Sequence, residues 1–538
     1  MTIRRPEPEF IPAKEMLHRR LLLIVPTALV ILVVIALFSL LRPAPKGNGQ
    51  AFSPASGDPG PDPTRPAVMI AFPSGKATFT PFTPATREPG APLLSPTPDP
   101  PRLMPTPRLE PDQYTVQGGD SLGKIAQHFN ISWGEIAAAN QLVDPDHLEP
   151  GQVLTIPAPK PGSGGPDFKI IPDSELVYGP ASTGFDVAAF IKKKGGILAN
   201  YSEDVDGETL SGTQIIERVT YEYSVNPRLL LAVLEYQGRW VTTSNPDETL
   251  RKYPIGQINP YRAGLYKQMA FAADNLNRGY YLWRVNGLTN WILVDGAVIP
   301  ISSTINAGTA GVQNFFATLL DSSNWKKAVS SDGLFATYQA FFGYPFDYSI
   351  DPLLPPGLAQ PHLHLPFEKG AVWSFTGGPH GGWGDGSAWA ALDFAPPGEA
   401  YGCFSSPSWV VAMADGLITR AHDGAVIEDL DGDGYEQTGW VILYMHISSE
   451  DRIQPGTVVK AGDRIGHPSC EGGVSNGTHT HIARRYNGEW IPADGLIPFN
   501  LDDWISSGNG AVYDGYLTRN DQRIEAWDGR TPENQISR

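Results

Sequence analysis

Basic residues are in short supply. The chain of 538 residues has 40 Lys and Arg against 57 Asp and Glu, a formal net charge of −17. A general nucleic-acid binder needs a basic footprint, and this composition argues against one. Beyond that, net charge informs solubility and association rather than fold. Cysteine is scarcer still, with Cys403 and Cys470 the only two, so no thiol near the N-terminus is there to take a lipid. Charge is missing altogether from one stretch, Leu21 to Leu41. Apolar residues are not lacking: at 41% they suffice for buried cores. As a prior, this length suggests three or four domains.

Leu21 to Leu41 is 21 residues long. At about 1.5 Å per residue a helix of that length spans roughly a 30 Å hydrocarbon layer. Pro26 is tolerable in such a helix. Residues 1–20 carry Arg4, Arg5, Lys14, Arg19 and Arg20, which by the positive-inside rule leaves them in the cytoplasm and the rest outside. A cleavable signal peptide is the alternative. Its apolar core usually runs about 7–15 residues and ends at an A-x-A-like site, and no such site follows Leu41. The expectation is an uncleaved signal-anchor at 21–41, making a single-pass membrane protein with its bulk extracytoplasmic.

Residues 42–112 are rich in proline, which removes backbone donors and fixes φ, so they read as an extended tether without a packed core. Residues 113–158 read differently. Tyr114-Thr115-Val116 is a strand, Gly119-Asp120-Ser121 turns into a helix with Asp120 as its N-cap, Ser132 caps a second helix, and Gln152 to Pro157 closes as a strand. This βααβ order, with YTVQGGDSLGKIAQHFNISWGEIAAANQL, resembles the LysM domain. The resemblance implies binding of N-acetylglucosamine-containing glycans, hence peptidoglycan, in a groove between Gly119-Asp120-Ser121 and the loop after Asn140. A tether would raise the effective concentration of such a module at a wall.

A Pro/Gly linker opens residues 159–180, and 181–356 read mostly as helices. Helical spacing marks 212–223, 227–236, 262–275 and 309–320, with Asn226-Pro227 a good helix start. The stretch YSVNPRLLLAVLEYQGRW is similar to the active-site helix of lysozyme-like lytic transglycosylases. That family places a Glu-Ser pair where this chain has Gln237 and Gly238, and Gln cannot be the general acid of glycosidic cleavage. Glu235 lies two positions away, about 200° around a helix. The expectation is a lysozyme-like domain that has lost its acid.

Residues 366–500 hold the strongest pattern: His380, Asp393, His446, His479 and His481. Catalytic zinc usually takes three protein ligands and leaves a fourth position for water. His479 and His481 are two apart on a candidate strand, so both face one side. Asp393 lies in the apolar run 390–395, where a carboxylate is costly unless paired or bound to metal. His446 follows the apolar strand 440–443, and His380 sits on a Gly-rich loop. With this order and spacing the chain resembles the zinc metallopeptidases of the lysostaphin and beta-lytic endopeptidase group, which cut peptidoglycan peptides. The longer Gly-rich spacer of the beta-lytic branch fits His380 to Asp393. The lysostaphin branch would need a His where Trp389 stands. The resemblance implies an antiparallel β core with a groove, one zinc ion on His380, Asp393 and His481, and His446 and His479 as proton-handling or oxyanion-stabilising residues. Their two roles are interchangeable at this stage.

His362-Leu363-His364 repeats the His-x-His form in a Pro-bounded segment and reads as a decoy. An exported chain permits a Cys403–Cys470 disulfide, worth about 4 kcal/mol for a loop of that length. Asp429, Asp431 and Asp433 resemble the start of a calcium loop, but Trp440 stands where its last ligand belongs; a hairpin turn is the bland alternative. Residues 501–538 contain a plausible hairpin and no functional signal.

The fold class expected is therefore multidomain α+β: a transmembrane helix, a βααβ module, a mostly helical lysozyme-like domain and an antiparallel β metallopeptidase domain. Three functions compete: a zinc endopeptidase acting on peptidoglycan at the cell wall, a non-catalytic wall-binding regulator of another hydrolase, and a glycan-cleaving enzyme. Oligomeric state is not legible.

Overall fold

A computed structural model describes residues 82–86, 95–104, 108–129, 131–158, 164–398 and 402–538. Residues 112–156 fold as β1 (Asp112–Thr115), α1 (Leu122–Phe129), α2 (Trp133–Ala139) and β2 (Val153–Ile156), with the two strands paired antiparallel. Leu122, Ile125 and Ala126 of α1 and Ile136 of α2 pack on Leu154 and Ile156 as a small separate core. The α1 cap is Ser121, whose Oγ accepts from the Lys124 N–H. Asp120 is not the cap: its carboxylate instead accepts from Tyr114 Oη and the Gln117 N–H within the preceding turn.

The expected tether is not free throughout. Asp99 pairs with Lys169, and the Arg102 guanidinium lies 4.3 Å from the Trp283 ring, so residues 95–104 run along the helical region. That region includes α3 (Gly212–Tyr223), α4 (Pro227–Gly238), α5 (Leu265–Arg284), α6 (Ala307–Ala317) and α7 (Leu334–Phe342), with two small hairpins, Ser202–Ser211 and Asn290–Pro300. Asn226 caps α4 and Pro227 begins it, where a missing N–H costs nothing.

The C-terminal part is built on β3 (Val372–His380), β4 (Ala391–Ala395), β5 (Gly416–His422), β6 (Ala425–Asp429), β7 (Trp440–Met445), β8 (Val458–Val459) and β9 (Thr480–Tyr486). It continues through β10 (Asn500–Leu501), β11 (Trp504–Ser507), β12 (Tyr516–Arg519), β13 (Gln522–Glu525) and β14 (Gln535–Ser537). Among the described residues a nine-stranded antiparallel sheet runs in the order β8-β5-β6-β7-β9-β4-β3-β14, with Glu489–Trp490 added beside β9. β10 to β13 form a second, four-stranded sheet.

Both faces of the large sheet are covered. Ala391, Ile427, Val441, Leu443 and Ala483 join the core of the helical region, while Leu392, Val426, Ile442, Tyr444 and Ile482 pack with Leu365, Phe367, Phe499 and Trp504. A strand buried on both faces reads as an unbroken apolar run, which is why 440–443 lacks alternation. Polar contacts stitch the helical side. Arg485 reaches Glu436 at 2.9 Å and Ser224 Oγ at 3.1 Å, and the Trp490 N–H donates to Tyr281 Oη at 2.9 Å.

The expected fold class and location need correction. Among the described residues no helix is long and apolar enough to cross a membrane. The longest, α5, carries Lys267, Asp274, Arg278 and Arg284. The segment expected to span, 21–41, lies outside the described residues. A transmembrane helix and a single-pass location are accordingly not part of the structure described here.

Candidate metal centre

Strand register decides which side chains meet. His481 on β9 sits opposite Asp393 on β4, and Asp393 opposite Gly377 on β3. A Cβ at Gly377 would lie 2.6 Å from Asp393 Oδ2, so glycine makes room for the carboxylate. β3 is irregular on either side of Gly377, and these shifts re-aim its last residue, His380. His380 Nε2 lies 2.9 Å from His481 Nδ1 and 3.3 Å from Asp393 Oδ1, and His481 Nδ1 lies 3.2 Å from the same oxygen. Ligand bonds of about 2.1 Å at tetrahedral angles set donor atoms about 3.4 Å apart, so this triangle already has the size a zinc ion requires.

Two further observations fit an ion there. Asp393 Oδ1 is buried and receives no hydrogen bond from a described residue, an expensive state for a carboxylate oxygen without a cation. The remaining ring nitrogens are engaged: His380 Nδ1 is 2.8 Å from Gly378 O, and His481 Nε2 is 3.1 Å from Gly382 O. Donating those N–H groups to carbonyls fixes the tautomers and leaves the facing nitrogens as lone pairs. The electrostatics are mixed: against burial, Asp393 and Gly378 O raise the His380 pKa and so favour its protonated form. Burial opposes the charge of Asp393, but His380 and His479 outweigh it and hold the carboxyl well below its usual range. Burial pushes His481 down, with Asp393 only partly compensating.

The other two imidazoles flank this triangle. His446 follows β7 at φ +64°, a left-handed backbone uncommon outside glycine. Its ring centroid is 4.5 Å from that of His479 and 6.2 Å from that of His481. His446 Nδ1 is 3.1 Å from Glu471 O, which leaves Nε2 as the acceptor; burial, then His479 and His481, push its pKa down to about 3. His479 Nδ1 is 2.7 Å from Gly477 O, and its Nε2 is 3.7 Å from Asp393 Oδ1. Cys403 and Cys470 are joined, with Cα atoms 5.8 Å apart. Next to the bridge, the Ser469 N–H donates to His446 O and Ser469 pairs with His479, so the disulfide backs both flanking residues.

Sequence reasoning missed Tyr513. The tail it read as silent forms a wall of the site: the Tyr513 ring stacks on His380 with centroids 4.2 Å apart and planes at 23°. The Gly378 N–H donates to Tyr513 O and the Tyr513 N–H to Pro379 O, so the β11–β12 connection is locked to the strand that carries His380. Burial, then Asp393 and Asp385, raise the Tyr513 pKa. A lone Tyr among Gly508, Gly510 and Gly515 has no periodicity to announce it.

The remaining candidates lie elsewhere. In the βααβ unit Gly119, Asp120 and Ser121 form the turn before α1, and Asn140 donates to Ile136 O and Thr155 O and accepts from the Thr155 N–H, tying α2 to β2. Asp429, Asp431 and Asp433 do cluster, but Asp429 accepts from the N–H groups of Asp431, Gly432 and Gly434, and Asp433 from Tyr435 and Thr438. Those are the bonds of a tight turn, and calcium gains no support from them. In α4 the Gln237 amide donates to Ile255 O, and the Glu235 carboxylate is taken up by the Val241 N–H, the Thr242 N–H and Thr242 Oγ1.

Fold and site thus define a modular chain whose main sheet carries a buried His/Asp triangle. Comparison with known proteins identifies two of its modules. Residues 114–157 match the family model of the LysM domain, and residues 169–354 match that of the LasA N-terminal domain. The second match embraces the stretch expected to be lysozyme-like and leaves that likeness unconfirmed. Secreted LysM effector ECP6 of Passalora fulva is 44% identical over 48 residues, 9% of this chain and 21% of that protein. An uncharacterized protein of Deinococcus radiodurans is 47% identical over 47 residues, 8% and 19% of the two chains. This chain therefore spans about a fifth of the length of the curated relatives it matches. Among solved structures, the M23 metalloprotease pseudoalterin from the deep sea is similar at 25% identity, over 34% of this chain and 100% of that one, with a TM-score of 0.28. A likeness at that score carries no part of the functional reading.

Proposed function

We propose that the chain is a zinc-dependent endopeptidase that hydrolyses peptide bonds of peptidoglycan stems or cross-bridges, held at the wall by its LysM module. The observation that supports this best is the triangle of His380 Nε2, Asp393 Oδ1 and His481 Nδ1, of tetrahedral size and with its shared oxygen left without a donor. Zinc bound there would supply a Lewis acid for the scissile carbonyl and acidify a water toward neutrality. The chain's own groups do the rest. Gly378 O and Gly382 O orient the two ligand rings. His446, whose Nδ1 faces Glu471 O and leaves Nε2 toward the site, and His479, whose Nε2 lies on the same side as Asp393, are placed to handle protons, and the two roles are exchangeable. Once protonated, either imidazole can stabilise a developing oxyanion or return the proton to the leaving amine. Tyr513 and its connection cover the His380 side of the triangle.

Glycan cleavage gains no support at the position where the resemblance would put its acid: Gln237 stands there, and the neighbouring Glu235 carboxylate caps the turn at Val241 and Thr242. The purified protein incubated with peptidoglycan should release new amines and no new reducing or anhydro sugars. His481→Ala should abolish the release, as should a chelator, with zinc restoring the chelated parent only. Amine release by His481→Ala would remove the proposed role of the triangle.

A further inference from the structure

The segment read as a decoy is not isolated. Leu363 is 2% exposed and pairs in parallel with Leu501 of β10, so the backbone around it is fixed. Side chains alternate along an extended segment, so His362 and His364 share the opposite side. Their rings stand edge to face with centroids 4.6 Å apart. Across from them the β10–β11 turn presents Asp502, at φ +49° and followed by Asp503 at φ +68°. Its N–H donates to Leu363 O, which fastens the turn to the His-x-His segment.

The Asp502 carboxylate is oriented by its surroundings. Oδ2 accepts from the Leu365 N–H at 2.8 Å and lies 3.5 Å from Arg538 Nε. Oδ1 is thereby turned toward the imidazoles, where it meets His364 Nδ1 at 2.5 Å, a direct contact that an ion would open to about 3.4 Å. One ligand atom from each of His362, His364 and Asp502 lies within 4.8 Å of the other two. His364 and Asp502 are partly buried and His362 is exposed.

The geometry points to a second metal site on His362, His364 and Asp502, one that takes a borderline divalent ion such as zinc or nickel. Two imidazoles and one carboxylate suit such ions and not calcium or magnesium, which prefer all-oxygen shells. Arg538 and the Leu365 N–H play the part that outer partners play at such sites, fixing the carboxylate from behind. An ion here clips the chain leading into the large sheet to the small sheet of β10–β13, from whose β11–β12 connection Tyr513 projects. The site is structural, and independent of the reaction proposed above.

The test counts ions. The full chain, stripped with a chelator and dialysed, is titrated with zinc, and separately with nickel, against a chromogenic chelator. The parent should hold one more equivalent than His362→Ala, a substitution at an exposed position that leaves the His364–Asp502 pair intact. His481→Ala should lose a different equivalent, and His362→Ala/His481→Ala both. In the His481→Ala background saturating zinc should raise the thermal midpoint, and adding His362→Ala should cancel the rise. An unchanged count in both His362→Ala and His362→Ala/His364→Ala would overturn the proposal and leave an ordinary His–Asp ion pair. A count that falls in His362→Ala but not in His481→Ala would keep this site and remove the catalytic one.

Discussion

Glu428 shows how far one buried carboxyl can depart from its ordinary behaviour. It lies fully buried on β6, and the Tyr444 hydroxyl donates to it. Burial raises its pKa from 4.5 to about 8, with Tyr444 and the Met413 N–H only partly offsetting this. A folded value above the unfolded one means that the folded chain binds the proton more tightly. The associated stability is fully present below the unfolded value and is lost as pH rises through the folded one. Glu428→Gln should therefore be nearly neutral in thermal melts at about pH 5 and clearly stabilising at about pH 8.5. A benefit that shrinks with rising pH would contradict this. At the same scale, His380, Asp393 and His481 could be grouped from the order and spacing that carry the family resemblance and from a carboxylate stranded in an apolar run, whereas the cross-strand register and the irregularity of β3 that bring them together have no local pattern. Tyr513 was not, because its placement depends on two backbone hydrogen bonds to Gly378 and Pro379 that no local pattern encodes.

Helix existence was legible from apolar spacing, but α5 runs to Arg284, beyond the expected 275. Asn275, Asn277 and Gly279 break the apolar stripe without breaking the helix. The Asn277 amide donates to Tyr223 O, and a Cβ at Gly279 would come within 2.5 Å of Asn314 Cβ, so these residues serve close packing against α3 and α6. The same helix grips the loop that follows His380. Asp274 Oδ1 accepts from the Gly386 N–H at 2.8 Å, and a Cβ at Gly386 would lie 1.9 Å from Asp274 O. Earlier in that loop Gly382 O meets His481 Nε2. If His481 holds the ion as proposed, Asp274 is a positioning residue for a ligand it never touches. Asp274→Ala and Gly386→Ala should each weaken zinc binding by roughly 10-fold, the usual scale for outer partners of metal ligands. Chelator competition reads this directly, and unchanged affinity in both variants would refute it.

At the scale of the whole molecule, the sequence suggests separate helical and β modules, whereas in the structure one face of the large sheet shares a continuous core with the helices. The reason is one of range: each strand's apolar content is visible locally, but which surface covers each face is not. Glu489 on the sheet side, paired with Arg284 at 3.0 Å, is a further tie across the same boundary. A fragment comprising residues 361–538 would expose Ile427, Val441, Leu443 and Trp490 to water. It should bind a hydrophobic dye, melt far less cooperatively than the full chain and tend to aggregate. A fragment that melts as sharply as the parent would show that the shared core is dispensable.

β14 pairs with β3, the strand that ends in His380. In chain order every imidazole and carboxylate of the triangle precedes the end of β9, whereas Tyr513 and β14, which flanks β3, come after it. A chain cut after β9 would therefore carry all three residues of the triangle without Tyr513 and β14, which brace the strand that bears His380.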